Sequence, residues 1–257
     1  MTEVDQDFRL SRRDHLRSIL PAFALFALLG EVRVLAASGR GAVDRWIADQ
    51  DEIARALAGG TIGGRDWALE VERLARRVDV AALMHRVSRS RLSPAPAGSD
   101  NDPGKRFVRF LDEQGAPRRL NYGVALFDFA PRNVITPHGH RHMVSAHLVV
   151  AGAFRVRNFD RVRDEDAAMV IRPTRDYVAR VGEISTMCSE RDNIHWFVPQ
   201  GGAATTFDIV VSGLDPGQPD HDIKAVDPIG GRRLDDGSIV APIISFGESA
   251  RRYTSDV

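Results

Sequence analysis

The chain has 257 residues, of which 43% are hydrophobic, and its 35 basic and 35 acidic side chains give a formal net charge of zero. A chain of this length can bury one substantial core and carry a smaller added unit. Because there is neither a net positive charge nor a basic block, we expect no nucleic-acid partner. The single cysteine, Cys188, excludes an internal disulfide framework and a zinc ribbon.

Residues 1–38 have the organisation of an export signal. Paired arginines at 12–13 precede a short apolar run at 19–30, and small residues follow at 36–38. This order is typical of a secretory signal, and the arginine pair resembles the twin-arginine type. The apolar run is too short to cross a bilayer, so we expect no stable membrane span. The segment predicts export to the periplasm; the alternative is an amphipathic or buried helix of a cytoplasmic protein.

Apolar residues at helical spacing mark residues 43–92 as a small α-helical region. Trp67, Val71, Leu74 and Val78 are spaced by four, three and four residues, with charged residues between them. No pattern in this region indicates chemistry. We therefore expect two or three short helices that pack on the main domain or mediate association.

The remainder of the chain predicts a β domain. Residues 93–105 are rich in Pro, Ser, Asp and Gly and are predicted to be a linker. Residues 106–250 contain short alternating or apolar runs separated by turn residues, which is typical of an all-β sandwich or barrel. The sequence has no Gly-rich phosphate loop, so a nucleotide-binding α/β fold is not expected. The candidate strands are 107–111, 122–129, 145–150, 154–159, 168–171, 177–181, 194–198, 205–211 and 239–246.

Histidines are concentrated in the middle of this β domain. A strand points residues i and i+2 to the same face, so His138 and His140 can direct two imidazoles at one point. The distant His195 can complete a three-histidine site from a neighbouring strand. Imidazole nitrogens suit iron, copper, zinc or nickel. We therefore predict a metal site at these three residues; the alternative is a structural role without metal.

Three further polar residues are considered for the site. His142 continues the i, i+2 series and is a catalytic candidate that lines the pocket, binds substrate, or faces solvent beyond the strand. His147 is expected to be a packing residue. Asp208 is a charged residue inside an apolar strand, and buried carboxylates are normally paired. It is predicted to orient a ligand histidine or a substrate amine; the alternative is a solvent-facing edge position.

The spacing of these residues resembles that of the cupin superfamily. His138-x-His140 followed by Gly152 resembles the first cupin motif, and Asn-Ile-His at 193–195 resembles the second. The resemblance implies a mainly β fold, a double-stranded β-helix or jelly-roll barrel, which can pair into a homodimer. Cupins usually place a glutamate ligand five residues after the second motif histidine. Ser145 occupies that position, so the resemblance implies a site of three histidines.

Among cupins, the sequence is similar to the cysteamine dioxygenase and plant cysteine oxidase group of thiol dioxygenases. The similarity spans roughly residues 105–215. It implies one Fe²⁺ and insertion of both atoms of O2 into a small thiol, such as cysteamine or cysteine, to give a sulfinate. The alternatives are a cupin metalloenzyme with a non-thiol substrate and a non-enzymatic, ligand-binding cupin. The matching residues are His138, His140, Met143, Gly152, Asn193, Ile194, His195 and Asp208.

Overall fold

A computed structural model of the chain describes residues 39–95, 102–215, 217 and 223–254. The predicted export signal at 1–38 lies outside the described residues. The helices are α1 (Gly39–Ala58), α2 (Gly64–Ala75), α3 (Val80–Ser88) and α4 (Phe246–Arg252). The strands are β1 (Arg91–Pro94), β2 (Gly104–Arg109), β3 (Gly123–Phe129), β4 (Ile135–Gly139), β5 (Val144–Ala151), β6 (Ala153–Asp164), β7 (Ala168–Arg180), β8 (Ile184–Met187), β9 (Ile194–Pro199), β10 (Ala204–Val211), β11 (Lys224–Val226), β12 (Arg232–Arg233) and β13 (Ile239–Ile244). None of the described helices combines the length and the apolar character needed to cross a membrane.

The strands form a jelly roll of two facing antiparallel sheets. The order in one sheet is β1-β2-β3-β10-β5-β8, and in the other it is β11-β4-β9-β6-β7-β13-β12. The eight strands from β3 to β10 are divided four to each sheet, as in a jelly roll. An additional pairing of β11 with β13 closes the second sheet into a ring. The predicted fold class, mainly β with a small α-helical N-terminal region, is confirmed.

The helices cover the outer side of the first sheet, so its central strands are buried on both faces. Side chains alternate along a strand. On β10, Phe207 and Ile209 belong to the core that the sheet shares with the helices, whereas Asp208 lines a cavity inside the barrel. On β5, His147 likewise points into the barrel. The helical layer therefore determines which side chains are left to face the cavity.

Polar contacts join the helices to one another and to the barrel. The indole nitrogen of Trp46 on α1 donates to the carbonyl of Leu74 on α2 at 3.2 Å. Glu72 on α2 accepts hydrogen bonds from Thr186 at 2.7 Å and from Arg191 at 2.5 Å. The predicted helical region thus packs on the main domain as an integral layer.

Both ends of the predicted linker, residues 93–105, belong to strands. Strand β1 continues through Pro94, which pairs with Arg106 of β2, and β2 already begins at Gly104. Pro94 is tolerated because β1 is the edge strand of its sheet, where a residue without an N–H leaves no inner partner unsatisfied. The composition that suggested a linker is therefore, in part, that of an edge hairpin.

Candidate metal centre

His138 and His195 face each other across two neighbouring strands. They are direct register partners of β4 and β9, and directly opposed residues of antiparallel strands have Cβ atoms about 5 Å apart. Their Nε2 atoms lie 3.2 Å apart. Two imidazole nitrogens held about 2.1 Å from one metal ion at a right angle lie about 3 Å apart. The pair can therefore occupy adjacent corners of a coordination shell.

His140 adds a third imidazole to this pair. It follows β4 and lies two residues after His138, so both side chains point to the same side. Its ring centroid is 4.7 Å from that of His138 and 5.4 Å from that of His195. One ring nitrogen from each histidine lies within 4.8 Å of the others, and in the described part of the chain no cysteine or carboxylate joins the group. The structure brings together the three predicted ligands; their binding of a metal stays a prediction.

The protonation of these imidazoles suits a cation. Nδ1 of His138 lies 2.7 Å from the carbonyl oxygen of Thr136. A carbonyl only accepts, so Nδ1 carries the proton and Nε2 presents its lone pair to the cluster. Burial lowers the pKa of His138 to about 4 and the pKa of His195 well below its usual range. Both imidazoles are neutral at pH 7, the form that binds metal, and the donor set fits a first-row transition metal.

Gly139 and Asn193 hold β4 close to β9. A Cβ on Gly139 would lie 3.0 Å from Oδ1 of Asn193 and 3.0 Å from Cγ1 of Ile194. The Asn193 amide donates to the carbonyl of His140 at 2.8 Å and to that of Cys188 at 3.3 Å. The backbone that carries His140 is therefore positioned by the residues just before the third ligand. Asn193 was identified through the family pattern, whereas no sequence signal marked Gly139.

A hydrogen-bonded row of three buried residues forms the wall beside the cluster. Nδ1 of His147 lies 2.7 Å from Oδ2 of Asp208, and its Nε2 lies 3.0 Å from Oγ of Ser145. Since the carboxylate accepts, Nδ1 carries the proton, and Nε2 then accepts from the Ser145 hydroxyl. The His147 ring packs on that of His195 with centroids 4.8 Å apart. Ser145, at the position where cupins usually carry glutamate, is thus part of this wall.

His147 packs on the rings of His195 and Phe197, as expected, and the alternation of β5 also directs it into the cavity. Asp208 is 1% exposed and lies on a central strand, so the solvent-facing alternative is wrong. The partner of Asp208 is His147, which is not one of the three clustered histidines, so its predicted role in orienting a ligand histidine or a substrate amine stays a prediction.

The structure does not bring His142 to the cluster. It lies in the turn after β4 with a φ of 59°, and its Nδ1 is 3.6 Å from a carboxylate oxygen of Asp215. It is not among the residues that line the cavity. Its proposed catalytic role therefore has no geometric support.

The cluster opens into a cavity of about 390 Å³ inside the barrel. Its walls are mainly apolar. Besides the histidines, the only ionisable side chains among the described residues of the lining are Lys105 and Asp208. Sequence analysis missed Lys105 because it falls in the expected linker. The apolar and aromatic side chains of the lining include Phe107, Phe127, Ile135, Met143 and Val210.

The variant Asp208→Asn tests how much the hydrogen bonds of this wall contribute to stability. The variant replaces a charged acceptor of the His147 N–H by a neutral amide, and we expect the free energy of unfolding to fall by about 1–3 kcal/mol in urea denaturation. Metal content should be unchanged, because Asp208 is not in the cluster. Asp128→Asn is the matched control, since Asp128 pairs with Arg106 on the exposed side of the same sheet and such pairs contribute about 0–1 kcal/mol. Equal losses in the two variants would contradict the buried network.

No protein-family model matches the sequence, and no curated protein matches it. Solved structures with a similar fold include the capsular polysaccharide assembling protein CapF of Staphylococcus aureus, with 20% identity and a TM-score of 0.34 over 51% of this chain and 31% of CapF. An oxalate oxidase matches with 19% identity and a TM-score of 0.34 over 49% of this chain and 58% of its own. KdgF from Halomonas matches with 15% identity and a TM-score of 0.33 over 48% of this chain and 89% of its own. The chain spans about a third of the length of CapF. The jelly-roll assignment rests on the strand order of this chain itself.

Proposed function

We propose that the chain is a cupin metalloenzyme that holds Fe²⁺ on His138, His140 and His195 and oxidises a thiol with O2. The reaction adds both oxygen atoms to a thiolate, so that RS⁻ and O2 give the sulfinate RSO2⁻. The observation that carries the proposal is a cluster of three histidines without a carboxylate, facing a cavity inside a jelly roll. The resemblance of the sequence to thiol dioxygenases favours this reaction over others.

The ligand set suits an anionic substrate. When bound, ferrous iron supplies a positive charge that lowers the pKa of a thiol and a centre that reacts with O2. Three neutral imidazoles leave the charge of the ion uncompensated, whereas a carboxylate in place of Ser145 would partly neutralise it. Phe127 and Met143 contribute apolar side chains to the lining of the cavity. The hydrogen bonds of the Ser145–His147–Asp208 wall fix the His147 ring, which packs on His195.

Oxygen uptake by iron-loaded protein tests the proposal. The full chain is purified without oxygen, loaded with Fe²⁺, and mixed with a panel of thiols that includes cysteamine and cysteine. We expect thiol-dependent oxygen uptake and a product heavier than the thiol by two oxygen atoms. If the protein binds iron and consumes no oxygen with any thiol, the enzyme assignment is wrong.

A second candidate is a cupin metalloenzyme that uses another metal and a non-thiol substrate. The observation in its favour is that three imidazoles also suit zinc, copper and nickel. Elemental analysis of protein purified without added metal separates the two candidates, since full occupancy by one of these metals favours the second.

We also propose that the chain is exported through its twin-arginine-like segment. The segment with paired arginines and a short apolar run supports this. N-terminal sequencing of the mature protein is the test, with a start near residue 39 expected and an intact N-terminus as the contrary result.

A further inference from the structure

Lys105 places a positive charge inside the barrel. It lies on β2, and its Nζ is 4.8 Å from the ring centroid of Phe107 and 5.3 Å from that of Phe127. Lys105 is one of two lysines in the chain, and in the described residues it is the only lysine or arginine that lines the cavity. The next residue, Arg106, points to the other side of the sheet and pairs with Asp128.

Lys105 has no carboxylate at ion-pair distance within the described chain. Burial lowers its pKa, and only the more distant charge of Asp208 acts in the opposite sense. Register keeps these two apart, because Lys105 pairs with Phe127 whereas Asp208, two strands away, pairs with Ala125. Asp208 is already bonded to His147. A partly buried ammonium that has no counterion among the described residues costs free energy, so the cavity favours an anion beside Lys105.

The strand that carries Lys105 lies well apart from the strand that carries His147. Strand β2 is three positions from β5 in the sheet, which corresponds to about 14 Å between their backbones. On β5, His147 packs against His195 of the cluster. The cavity of about 390 Å³ holds on the order of a dozen water volumes of about 30 Å³ each. This space exceeds the needs of a two-carbon thiol and suits a longer molecule.

We propose that the cavity binds an elongated organic anion whose carboxylate is held by Lys105 and whose other end reaches the three histidines. The reacting group at that end rests on the proposed function, which makes the substrate class a thiol with a distant carboxylate. A carboxylate gains a charge-assisted hydrogen bond from the ammonium. A substrate amine at the same place would meet a like charge. Lys105 is therefore the residue that selects between acidic and basic substrates.

Titration calorimetry with hexanoate, hexylamine and hexanol tests the charge preference without any reaction. The three probes share a chain length and differ in the head group. For the full-length wild type we expect hexanoate to bind at least tenfold more tightly than hexylamine, with hexanol between them. Lys105→Met should bring this ratio near one, because Met keeps an unbranched stem over the two rings but removes the charge.

Two control variants separate the effect of the Lys105 charge on the binding preference from the effect of its packing. Lys105→Arg keeps the charge and should keep the preference. Lys224→Met removes the other lysine, which pairs with Gly139 in register and lies outside the cavity lining, and should also keep it. Thermal unfolding of each variant verifies that it is folded.

The outcomes distinguish this inference from the proposed function. A wild type that binds hexylamine as tightly as hexanoate, or a Lys105→Met variant that keeps the preference, overturns the role of Lys105. A preference for the carboxylate without thiol-dependent oxygen uptake supports the role of Lys105 and contradicts the dioxygenase assignment. Oxygen uptake that is faster with cysteamine than with six-carbon mercaptocarboxylates contradicts the inference and leaves the dioxygenase standing.

Discussion

Replacing His195 by Gln is expected to reduce bound metal from about one equivalent per chain to below about a tenth, since even residues that only support a ligand change affinity by about 10–100-fold. His195 supplies one of three ring nitrogens that lie within 4.8 Å of one another. Gln fills much of the same buried space, but its amide is a weaker donor than imidazole for a first-row metal. Elemental analysis after dialysis of the purified variant measures the loss.

Metal-dependent stability gives a second measurement on the same variant. A ligand that binds only the folded protein raises the free energy of unfolding by about 2.7 kcal/mol at a concentration of 100 Kd. We expect Fe²⁺ under anaerobic conditions, or Zn²⁺ as a stand-in, to raise the Tm of the wild type and leave that of His195→Gln unchanged.

His142→Gln is the matched control for the ligand variant. The same substitution is made in the turn next to the cluster, where His142 lies near Asp215 and outside the cavity. It should retain full metal content and the metal-induced rise in Tm. Loss of metal in both variants, or in neither, would mean that the three clustered histidines are not the site.

The sequence predicted this cluster for two different reasons. His138 and His140 follow from strand geometry, because residues two apart share a face. Periodicity contains no information that links them to His195, which lies on a strand paired with β4 but far away in the chain. That link came from the family pattern. Register then explains it, since His138 and His195 are directly opposed.

The cavity-facing position of His147 was missed because its strand, β5, is buried on both faces. An ordinary antiparallel strand alternates between apolar and polar residues, and the polar side faces water. On β5 the outer face is covered by helices, so the pattern does not show which polar residues face solvent and which face a cavity. His147 was therefore taken for a packing residue. Lys105 was missed for another reason, because Pro- and Gly-rich neighbours concealed the start of β2.

The positions of the longer strands were easier to predict than the number and continuity of the strands. The expected strands at 168–171 and 177–181 form one strand, β7, in which Pro173 pairs with Phe159 next to a register shift in β6. A shift of this kind accommodates a residue without an N–H. The predicted strand at 239–246 ends earlier, because Ser245 caps α4 by accepting a hydrogen bond from the backbone of Glu248. Both differences depend on contacts that local sequence patterns do not contain.

Replacing Gly152 by Ala is expected to lower the free energy of unfolding by about 2–5 kcal/mol, the sum of two costs. Gly152 joins β5 to β6 with a φ of 69°, and an L-residue in the left-handed region costs about 1–2 kcal/mol. A Cβ there would also lie 2.7 Å from the carbonyl oxygen of Ala203 and 2.7 Å from Cβ of Ala204, so the start of β10 has to move. Urea denaturation of the purified variant measures the total.

Gly237→Ala measures the conformational cost without the steric one. Gly237 has a φ of 80°, and a Cβ on it would meet no atom within 4 Å. It should lose only the conformational part, about 1–2 kcal/mol. The difference between the variants then measures the close approach of the β5–β6 turn to β10, and equal losses would mean that this approach costs nothing. Because β5 carries His147 and β10 carries Asp208, a displaced β10 should also weaken their hydrogen bond. Gly152 would then act on the site through the register of these two strands.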